Sequence, residues 1–514
     1  MTAAEGPVVR ERVGWLLDRA TARYAGDDDA TGVLDRARRR LDEPLRVAIA
    51  GKLKAGKSTL LNALVGAPLA PTDAGECTRI ITWYRDGLTY AVRMHPVDGP
   101  PRSLHFQRGP RALAIDLDGH DPSEVDRLVV AWPSTSLRTL TLIDTPGIGS
   151  LSTELSARTR AFLTPDAHPG EADAVCYLMR HLHAADARFL EAFRDSSATS
   201  AAPLNAIGVL SRADEIGAGR LAALESAARI ARRYRRDPQV RQLCQTVLPV
   251  AGLLAETAAT LREDEFAALR ALVAVDRPTL DGLLLSVDRF AAPDADVAVG
   301  ADVRRALLDR FGVFGVRLSI ALIRSRQTTT AAALARALVD RSGVAVLREA
   351  LVTQFSARAD LLKARSGLAV LSSLLDARPV AGAEDLAGEV ERIVSDTHAF
   401  AEARLLNALR AGAVALDDAA AHEAEGLLGG RGANAVDRLG LASEDGDEVD
   451  DSMLHTAALD ALARWRRRAE HPLASPGAIE AARVVARSCE GIVAGLPRRP
   501  PLPPHAPADD WAAR

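Results

Sequence analysis

Apolar residues between about residues 45 and 250 come in short runs that alternate with stretches of helical spacing. Short apolar runs bounded by turn residues are typical of buried strands, and strands separated by helices indicate a parallel sheet. The pattern predicts strands at Leu45–Ala50, Ile80–Tyr84, Tyr90–Met94, Leu128–Ala131, Leu140–Ile143, Ala174–Met179 and Ala206–Leu210. We therefore expect an α/β domain around a mainly parallel sheet over residues 44–296.

Beyond about residue 297 the strand pattern stops and apolar residues recur at helical spacing. Leu386, Val390 and Ile393 fall on one stripe, as expected of long helices packed side by side. The pattern predicts helices at Val303–Ser325, Val344–Leu375, Leu386–Leu428, Met453–Glu470 and Ala478–Ala494, with a Gly-rich and then acidic break at Gly429–Asp451. We expect an elongated all-α helical bundle over residues 297–496 and a disordered, Pro-rich tail over residues 497–514.

Two more amphipathic helices, Val8–Ala25 and Gly32–Leu41, precede the first strand. Each has an apolar face that needs a partner elsewhere in the chain, so residues 1–43 are expected to pack on the helical bundle. Within the first long helix after the α/β domain, Gly312 and Gly315 predict a bend, because paired glycines lower the cost of a kink.

Composition supports this division and bears on partners. The 514 residues exceed what one hydrophobic core usually supports, and the surplus of Ala, Leu, Val and Arg favours a largely helical protein. With 64 basic and 68 acidic residues the net charge is −4, so no overall field attracts nucleic acid. We expect no nucleic-acid partner.

Cysteine usage and hydropathy predict a cytoplasmic chain. Cys77, Cys176, Cys244 and Cys489 follow neither metal-site nor disulfide spacing, and the N-terminus lacks a basic and then apolar signal. The longest uncharged apolar run, around Ser366–Leu375, is about half the length of a membrane span. Any membrane contact is expected to be peripheral.

The segment Gly51–Ser58 matches the phosphate-binding pattern GxxxxGK[ST], with a predicted strand before it and a helical run after it. In such a loop the backbone N–H groups wrap the phosphates, Lys57 neutralises the β- and γ-phosphates, and the Ser58 hydroxyl ligates magnesium. The nucleotide-binding residues predicted here are Gly51, Lys54, Ala55, Gly56, Lys57, Ser58 and Thr59.

Two further segments predict the rest of a magnesium and γ-phosphate site. Asp144-Thr145-Pro146-Gly147 ends a strand, where the Asp144 carboxylate can hold a magnesium-bound water and the Gly147 N–H can sense the γ-phosphate. Thr78 is the predicted second protein hydroxyl ligand, since a hard cation prefers oxygen; the alternative is that Thr78 only starts the strand at Ile80. The predicted metal ligands are thus Ser58, Thr78 and Asp144.

Ser211-Arg212-Ala213-Asp214 follows an apolar strand and has the shape of the [NT]KxD guanine reader. Asp214 can accept hydrogen bonds from guanine N1 and N2, which adenine cannot offer, so GTP and GDP are the predicted ligands. The planar head of Arg212, in the place of the usual Lys, can lie over the purine. Ala251, after the apolar stretch Val247–Pro249, is predicted to pack beside the base.

With these motifs placed, the chain resembles the bacterial dynamin-like GTPases, in particular the actinobacterial isoniazid-inducible type and the sporulation dynamins. The resemblance rests on residues 51–64 and on Glu76-Cys77-Thr78-Arg79, Asp144–Gly147 and Leu210–Asp214. It implies hydrolysis of GTP with Mg²⁺, self-association through GTPase-domain dimers, a paralogous dynamin-like partner, and remodelling or fusion of an anionic membrane, for example at division septa. It also implies a peripheral location on the inner face of the cell membrane.

The chain departs from the dynamin pattern inside the phosphate loop. Dynamins commonly carry Gln and then Ser where Leu53 and Lys54 stand here, the Gln orienting the attacking water and the Ser helping to hold a monovalent cation. Leu53 cannot orient water. We predict that the Lys54 ammonium takes the place of the cation, and the predicted catalytic residues are Lys57, Thr78 and Lys54.

Two functions remain open at this stage. The first is a mechanochemical GTPase whose helical half meets the membrane, with the tip at Asp376–Glu384 or, with more weight, at Leu427–Leu441. The arginines at 464–468 are interpreted as a solvated helix face. The alternative is a regulatory GTPase whose helical part docks a protein partner without membrane action.

Overall fold

The protein is described by a computed structural model covering residues 5–71, 80–109, 112–146, 172–180, 186–187, 190, 205–355, 358–410, 412–432, 434–441 and 449–497. By the density of their contacts these residues form two units, Glu5–Ala413 and a second unit that contains the helices after Val414. Boundaries at 43/44, 296/297 and 496/497 stay predictions.

A nine-stranded sheet forms the centre of the first unit, in the order β11-β10-β9-β1-β8-β2-β7-β3-β4. Five neighbouring strands, from β11 to β8, are parallel, whereas β2 runs antiparallel to β8 and β3 to its neighbours. The strands are β1 Leu45–Gly51, β2 Ile81–Arg85, β3 Ala91–Pro96, β4 Arg102–Leu104, β5 Phe106–Arg108, β6 Leu113–Ile115, β7 Val125–Ala131, β8 Leu140–Asp144, β9 Ala174–Met179, β10 Ala206–Ser211 and β11 Val247–Val250. The mainly parallel α/β fold is confirmed.

The seven predicted strands are all present within a few residues; β11, at the apolar stretch Val247–Pro249, was not among them, and β4, β5 and β6 were missed altogether. These three strands have three residues each, and β5 and β6 form a separate two-stranded sheet. A three-residue strand is too short to show a period-2 pattern. The missed strands lie away from the parallel strands that end at the functional motifs.

The helices of the first unit surround the sheet. They are α1 Glu5–Arg23, α2 Asp28–Arg40, α3 Lys57–Val65, α4 Ala223–Arg236, α5 Pro238–Leu243, α6 Gly252–Ala259, α7 Glu263–Val273, α8 Arg277–Leu283, α9 Val287–Ala291, α10 Ala301–Arg324, α11 Ala331–Ser342, α12 Val344–Ala350, α13 Ala359–Ala377, α14 Ala383–Asp396 and α15 His398–Arg410. A π-helical turn, Leu351–Phe355, follows α12. Of all helices in the described residues, none has the length and apolar character needed to cross a membrane.

Alternate residues of β1 pack into two different cores, as the pleat of a strand requires. Val47 and Ile49 lie in the core that contains Leu61 of α3, whereas Ala48 and Ala50 lie in the core that contains Phe311 of α10. All these side chains are fully buried. Covering both faces of a parallel sheet in this way accounts for the continuous apolar run in β1.

Helices beyond residue 296 contribute to these same cores. Phe311 and Phe314 of α10 and Leu334 and Leu338 of α11 pack in one core, and Leu347 of α12 packs in the other. α10 contacts α6 and α7, and α11 contacts α6. The first helices of the predicted bundle therefore complete the α/β part of the molecule.

Gly312 produces the predicted bend in α10. Its backbone has φ 63° and ψ 171°, which interrupts the helix, and only glycine adopts such a conformation readily. Gly315, in contrast, is helical. The ranges Val344–Leu375 and Leu386–Leu428, predicted as helical, each contain more than one helix. The π turn separates α12 from α13, and breaks separate α14, α15 and the helix that follows them.

The two N-terminal helices pack against the later helices of the same unit. α1 contacts α13 and α14, and α2 contacts α13. The Lys363 ammonium donates to the carbonyls of Leu41 and Glu43 at 2.9 and 3.0 Å, and Arg40 pairs with Asp173 at 2.6 Å. These contacts give the N-terminal apolar faces the partner that the sequence pattern requires.

The second unit is helical, with α16 Asp418–Leu427, α17 Ala435–Leu439, α18 Asp451–Ala469 and α19 Pro476–Gly495. α18 and α19 form a hairpin around the fully buried Trp465. Asp450 caps α18 and Ser475 caps α19, each accepting a backbone N–H of the first turn, and Pro476 stands at the first position of α19.

Tertiary contacts hold part of each segment predicted as a membrane tip. Leu427 and Leu428 are buried, and the buried Arg438 donates to the Leu427 carbonyl at 2.7 Å. In the other segment, Arg378 pairs with Asp27 and its carbonyl accepts the Tyr24 hydroxyl. Val380 in one segment and Leu439 and Leu441 in the other are half-buried, so both segments stay predictions.

Candidate functional site

The phosphate loop begins where β1 ends, at the carboxyl end of the parallel strands. Gly51 has φ 151°, and a Cβ there would lie 2.6 Å from the Leu178 carbonyl oxygen of β9, so only glycine fits. Gly56 has φ 92° and directly precedes α3, whose first residue is Lys57. The two glycines thus turn the chain from the strand into the helix and aim the loop amides at one point.

Lys57 is buried in this loop. Its ammonium lies 3.4 Å from the carbonyl oxygens of Gly51 and Lys52, and its side chain is among the few buried charged groups of the domain. Burial lowers the pKa of Lys57, while the nearby Asp144 opposes that shift. A buried cation whose hydrogen bonds within the described part of the chain go to backbone carbonyls gains more from a phosphate than a hydrated surface lysine does.

Ser58 and Asp144 meet at the end of the two central strands. The Ser58 hydroxyl donates to Asp144 Oδ2 at 3.0 Å, while Oδ1 of Asp144, also buried, has no hydrogen-bond partner among the described residues. Burial raises the pKa of Asp144, and Lys57 opposes the shift. A hydroxyl beside a carboxylate with one unsatisfied oxygen is the donor set that Mg²⁺ prefers, so these residues fit the metal.

Thr145 fixes the chain after Asp144. Its hydroxyl donates to the Ile49 carbonyl of β1 at 3.0 Å, and Thr145 is buried. The contact ties the end of β8 to β1 and therefore sets the position of Asp144 relative to the phosphate loop.

The predicted base reader forms a tight turn at the end of β10. Arg212 has φ 53°, and a 3₁₀ turn, Ala213–Glu215, follows. Asp214 is only 6% exposed, and burial raises the pKa of its carboxyl. A buried carboxylate is costly in the absence of donors, and two N–H groups of a guanine would relieve that cost.

Arg212 joins the base reader to the phosphate loop. Its Nη2 donates to the Lys54 carbonyl at 2.9 Å, and its Nη1 lies 2.6 Å from Glu215 Oε1. Glu215 also pairs with Arg180. Lys54 itself has φ 61° and an exposed side chain. Arg212 is therefore held between its own turn and the loop.

An open cleft connects the two motifs. It is lined by Ala55, Gly56, Thr59, Leu60, Leu178, Val209, Ser211, Arg212, Asp214, Glu215, Val250, Gly252 and Leu253. The structure thus brings the phosphate loop, the base reader and the first turn of α6 around one space. Ligand sites in open α/β sheets lie at this carboxyl edge of the strands.

Of the predicted residues, Ala55, Gly56, Thr59, Ser211, Arg212 and Asp214 line the cleft, whereas Gly51, Lys54, Lys57, Ser58, Asp144 and Ala251 do not. Thr78 and Gly147 lie outside the described residues. Ala251 is buried, and its N–H donates to the Ser342 carbonyl at 2.8 Å; its neighbours Val250 and Gly252 line the cleft instead. The role of these three residues stays a prediction.

The sequence motifs did not indicate two polar networks beside the loop. Asp186 is buried, accepts the Tyr177 hydroxyl at 2.7 Å and pairs with Lys52 at 3.1 Å. Asn62 of α3 donates to Glu256 of α6 and to the Ala70 carbonyl. Polar residues within buried apolar runs were the available signal, but the sequence does not show their partners.

Comparison with known proteins agrees with the geometry of the cleft. A family model described as the Dynamin family matches residues 47–99. Isoniazid-induced protein IniC of Mycobacterium tuberculosis (strain ATCC 25618 / H37Rv) is 42% identical over 481 residues, which are 94% of this chain and 96% of that protein. Isoniazid-induced protein IniA of the same strain is 35% identical over 176 residues, 31% of this chain and 25% of that protein.

A solved structure of an oligomerised bacterial dynamin pair, described as providing a mechanism for the long-range sensing and tethering of membranes, is also similar. It shares 12% identity over 90% of this chain, with a TM-score of 0.28. This chain spans 61% of that structure's length.

Proposed function

Because the chain belongs to the bacterial dynamin-like GTPases of the isoniazid-inducible type, we propose that it binds GTP in the cleft with Mg²⁺ and hydrolyses it to GDP and phosphate. One observation carries the proposal: Ala55, Gly56 and the buried Asp214 line a single space, and Ser58, next in sequence to the lining residue Thr59, donates to Asp144. Such a space suits a nucleotide with a metal at one end and a guanine at the other.

The residues at the phosphate end hold charge. Lys57 leaves its loop carbonyls for the β- and γ-phosphates, and the loop amides bind the phosphate oxygens. Ser58 and Asp144 hold Mg²⁺, which when bound neutralises the charge that develops on the transferred phosphoryl group. Thr78 and Gly147 are proposed as the remaining metal ligand and γ-phosphate contact.

The residues at the base end discriminate between nucleotides. Asp214 accepts from guanine N1 and N2, which relieves the cost of its burial. Arg212 covers the purine with its stem while its guanidinium stays on the Lys54 carbonyl. Titration calorimetry with GTP and ATP tests the proposal: equal affinity for the two nucleotides would overturn it.

Lys54 is proposed to supply the positive charge that dynamins obtain from a monovalent cation. Its side chain is exposed at the mouth of the cleft, one stem length from where the β–γ bridge would lie, and developing charge there needs a counterion. Turnover is therefore expected to be the same in sodium and potassium. Lys54→Ser is expected to lower turnover and to make it respond to added cation, whereas a wild-type rate that rises with potassium would contradict the assignment.

Self-association is proposed to occur through the cleft face of the GTPase part. Leu53, in the phosphate loop, is 54% exposed, and an apolar side chain at the rim of a charged cleft gains by burial against a second copy. A paralogous dynamin-like chain is the other proposed partner. Sedimentation velocity with a non-hydrolysable GTP analogue tests this: Leu53→Glu is expected to remove a dimer that the wild type forms.

Membrane contact is proposed for the helical unit, on the inner face of the cell membrane, in support of membrane remodelling or fusion. The supporting feature is the turn between α18 and α19, where Leu473 is 89% exposed. Arg467 is exposed nearby and has no ion-pair partner among the described residues. Arg464, Arg466 and Arg468 pair instead with Glu423, Glu490 and Asp417.

An exposed leucine in the turn that follows a helix with an exposed arginine in its last turn suits the headgroup region of an anionic bilayer. Flotation with vesicles of phosphatidylglycerol and phosphatidylcholine, compared with phosphatidylcholine alone, tests the contact. Leu473→Asp is expected to abolish flotation, and Leu459→Asp, at a 50% exposed position within α18, is the matched control. If the wild type never floats, with or without GTP, the membrane proposal fails and the regulatory GTPase that docks a protein partner replaces it.

A further inference from the structure

The loop after the base reader has an unusual backbone. Gly217, Ala218 and Gly219 have φ values of 65°, 60° and 64° in succession. The left-handed conformation costs a residue with a Cβ about 1–2 kcal/mol, so Ala218 is strained. A left-handed run of this kind needs contacts from outside to hold it.

Arg317 of α10 supplies those contacts. Its Nη1 donates to the carbonyls of Ala218 and Gly219 at 3.0 and 2.7 Å, and its Nε donates to the Leu284 carbonyl at 3.2 Å. Burial lowers the pKa of Arg317, and the neighbouring Arg220 adds to the shift. All the hydrogen-bond partners of Arg317 among the described residues are backbone carbonyls. Its positive charge therefore stabilises these carbonyls close to one another.

The held loop lies directly behind Asp214. A Cβ on Gly219 would lie 3.5 Å from the Asp214 carbonyl oxygen and 3.5 Å from the backbone nitrogen of Phe314. Gly219 is buried at this contact. The loop whose carbonyls Arg317 binds therefore lies against the backbone of the base reader, with room for little more than one methyl group between Gly219 and the Asp214 carbonyl.

The same helix also supports the opposite wall of the cleft. A Cβ on Gly312 would lie 3.5 Å from Cδ2 of Leu253, which lines the cleft. Before the kink, Arg310 pairs with Glu265 of α7 at 2.8 Å and donates to Thr260. α10 is thus fixed on one side of Gly312 by α6 and α7, and on the other side by the base-reader loop.

We propose that Arg317 is a positioning residue for guanine recognition, which acts by holding the left-handed turn behind Asp214. The proposal rests on the proposed function, since it takes Asp214 as the guanine reader. No contact of Arg317 with the nucleotide is required. Its effect is expected on the affinity for the base and not on the binding of the phosphates.

A double-mutant cycle tests the proposal by measuring GDP affinity in Arg317→Met, Asp214→Asn and the combined variant. Arg317→Met is expected to weaken GDP binding about tenfold in the wild-type background, since hydrogen bonds from a charged donor are lost, and to have little effect in the Asp214→Asn background. Equal losses in both backgrounds would overturn the proposal, because a general loss of structure does not depend on Asp214.

Two more variants sharpen the cycle. Ala218→Gly removes the strain of the left-handed turn and is expected to restore part of the affinity lost in Arg317→Met; no restoration contradicts the mechanism. Arg324→Met, at an exposed position of the same helix, is the matched control and is expected to bind like the wild type. If Arg317→Met does not fold, Arg317→Lys, which keeps the charge but fewer donors, takes its place in the cycle.

The outcomes separate this inference from the proposed function. A wild type without preference for GTP over ATP removes the proposed function and the inference with it. A wild type whose preference depends on Asp214, but whose affinity is unchanged by Arg317→Met, removes the inference alone.

Discussion

The two ends of the nucleotide cleft are built in different ways. The phosphate end comes from one continuous segment, Gly51–Ser58, completed by Asp144 from the neighbouring strand β8. At the base end, the buried Asp214 is followed by a turn whose carbonyls, at Ala218 and Gly219, accept hydrogen bonds from Arg317 of α10, and Leu253 of α6 also lines the cleft. Local sequence thus determines the phosphate end, whereas the base end depends on helices far along the chain.

The largest effect is expected at the phosphate end, from Lys57→Ala. Removing the buried ammonium takes away charge-assisted hydrogen bonds to the phosphates, which together are worth about 3 kcal/mol, so GTP affinity falls about a hundredfold. Titration calorimetry measures the GTP affinity of the variant and of the wild type. Lys54→Ala, at the exposed lysine of the same loop, is expected to keep affinity within about threefold, and equal losses would show that the buried position has no special role.

At the base end, Asp214→Asn is expected to lower GTP affinity by about 2 kcal/mol, because one of the two oxygens that accept from guanine N1 and N2 is replaced by an NH₂ group that only donates. The asparagine amide can donate to the carbonyl that xanthine carries in place of the guanine amine, so affinity for xanthosine triphosphate rises. Competition binding with both nucleotides measures the reversal. A variant that loses both nucleotides equally would count against Asp214 as the reader.

How much the sequence alone could predict follows the same contrast. The order of motifs predicted that the phosphate loop, Asp144 and Asp214 share one edge of the sheet, because each stands at the end of a predicted parallel strand or in the turn that follows it. In the structure Gly56 and Asp214 line one cleft, and Ser58 donates to Asp144. Strand ends in a parallel sheet share an edge, so strand prediction was sufficient to group them.

Contacts between distant segments could not be predicted in this way. The hydrogen bonds from Arg317 to Ala218 and from Arg212 to Lys54 join segments with no pattern in common. The buried Arg438 looked like a surface arginine for the same reason. The exposed Leu473 was missed because one leucine in a turn has no periodicity, and only the hairpin shows that it is uncovered.

A third prediction tests whether the kink in α10 supports the base end. Gly312→Ala forces a Cβ into φ 63° and ψ 171°, which is expected to cost about 1.5 kcal/mol of unfolding free energy and to weaken GDP binding in parallel. Denaturant unfolding and calorimetry measure both. Gly388→Ala, in the helical interior of α14 with open space around it, is the control and is expected to stabilise by about 0.5–1 kcal/mol.

A fourth prediction uses the buried carboxyl of the phosphate end. Burial raises the pKa of Asp144, so the folded state binds this proton more tightly than the unfolded state, and the contribution of the group to stability is lost as the pH rises through the raised pKa. Asp144→Asn is therefore expected to stabilise the nucleotide-free protein at neutral pH by about 1 kcal/mol, and to give no gain in acid. The same variant is expected to lose the stabilisation by Mg²⁺ and GTP, and thermal unfolding with and without them measures both.

The smallest effect is expected from Arg212→Lys, which tests the link between the two ends of the cleft. The guanidinium of Arg212 bonds to both the Lys54 carbonyl and Glu215, and a lysine can keep only one of these contacts at a time, although its apolar stem still covers the purine. Because both contacts are partly exposed, screening makes the lost one worth little, and GTP affinity is expected to fall by no more than about threefold. Arg212→Asp reverses the charge beside Glu215 and removes the stem, so its GTP affinity is expected to fall much further. If the GTP affinity of Arg212→Lys falls as far as that of Arg212→Asp in the same calorimetric assay, binding requires the hydrogen bond from Arg212 to the Lys54 carbonyl and not the packing of the stem on the purine.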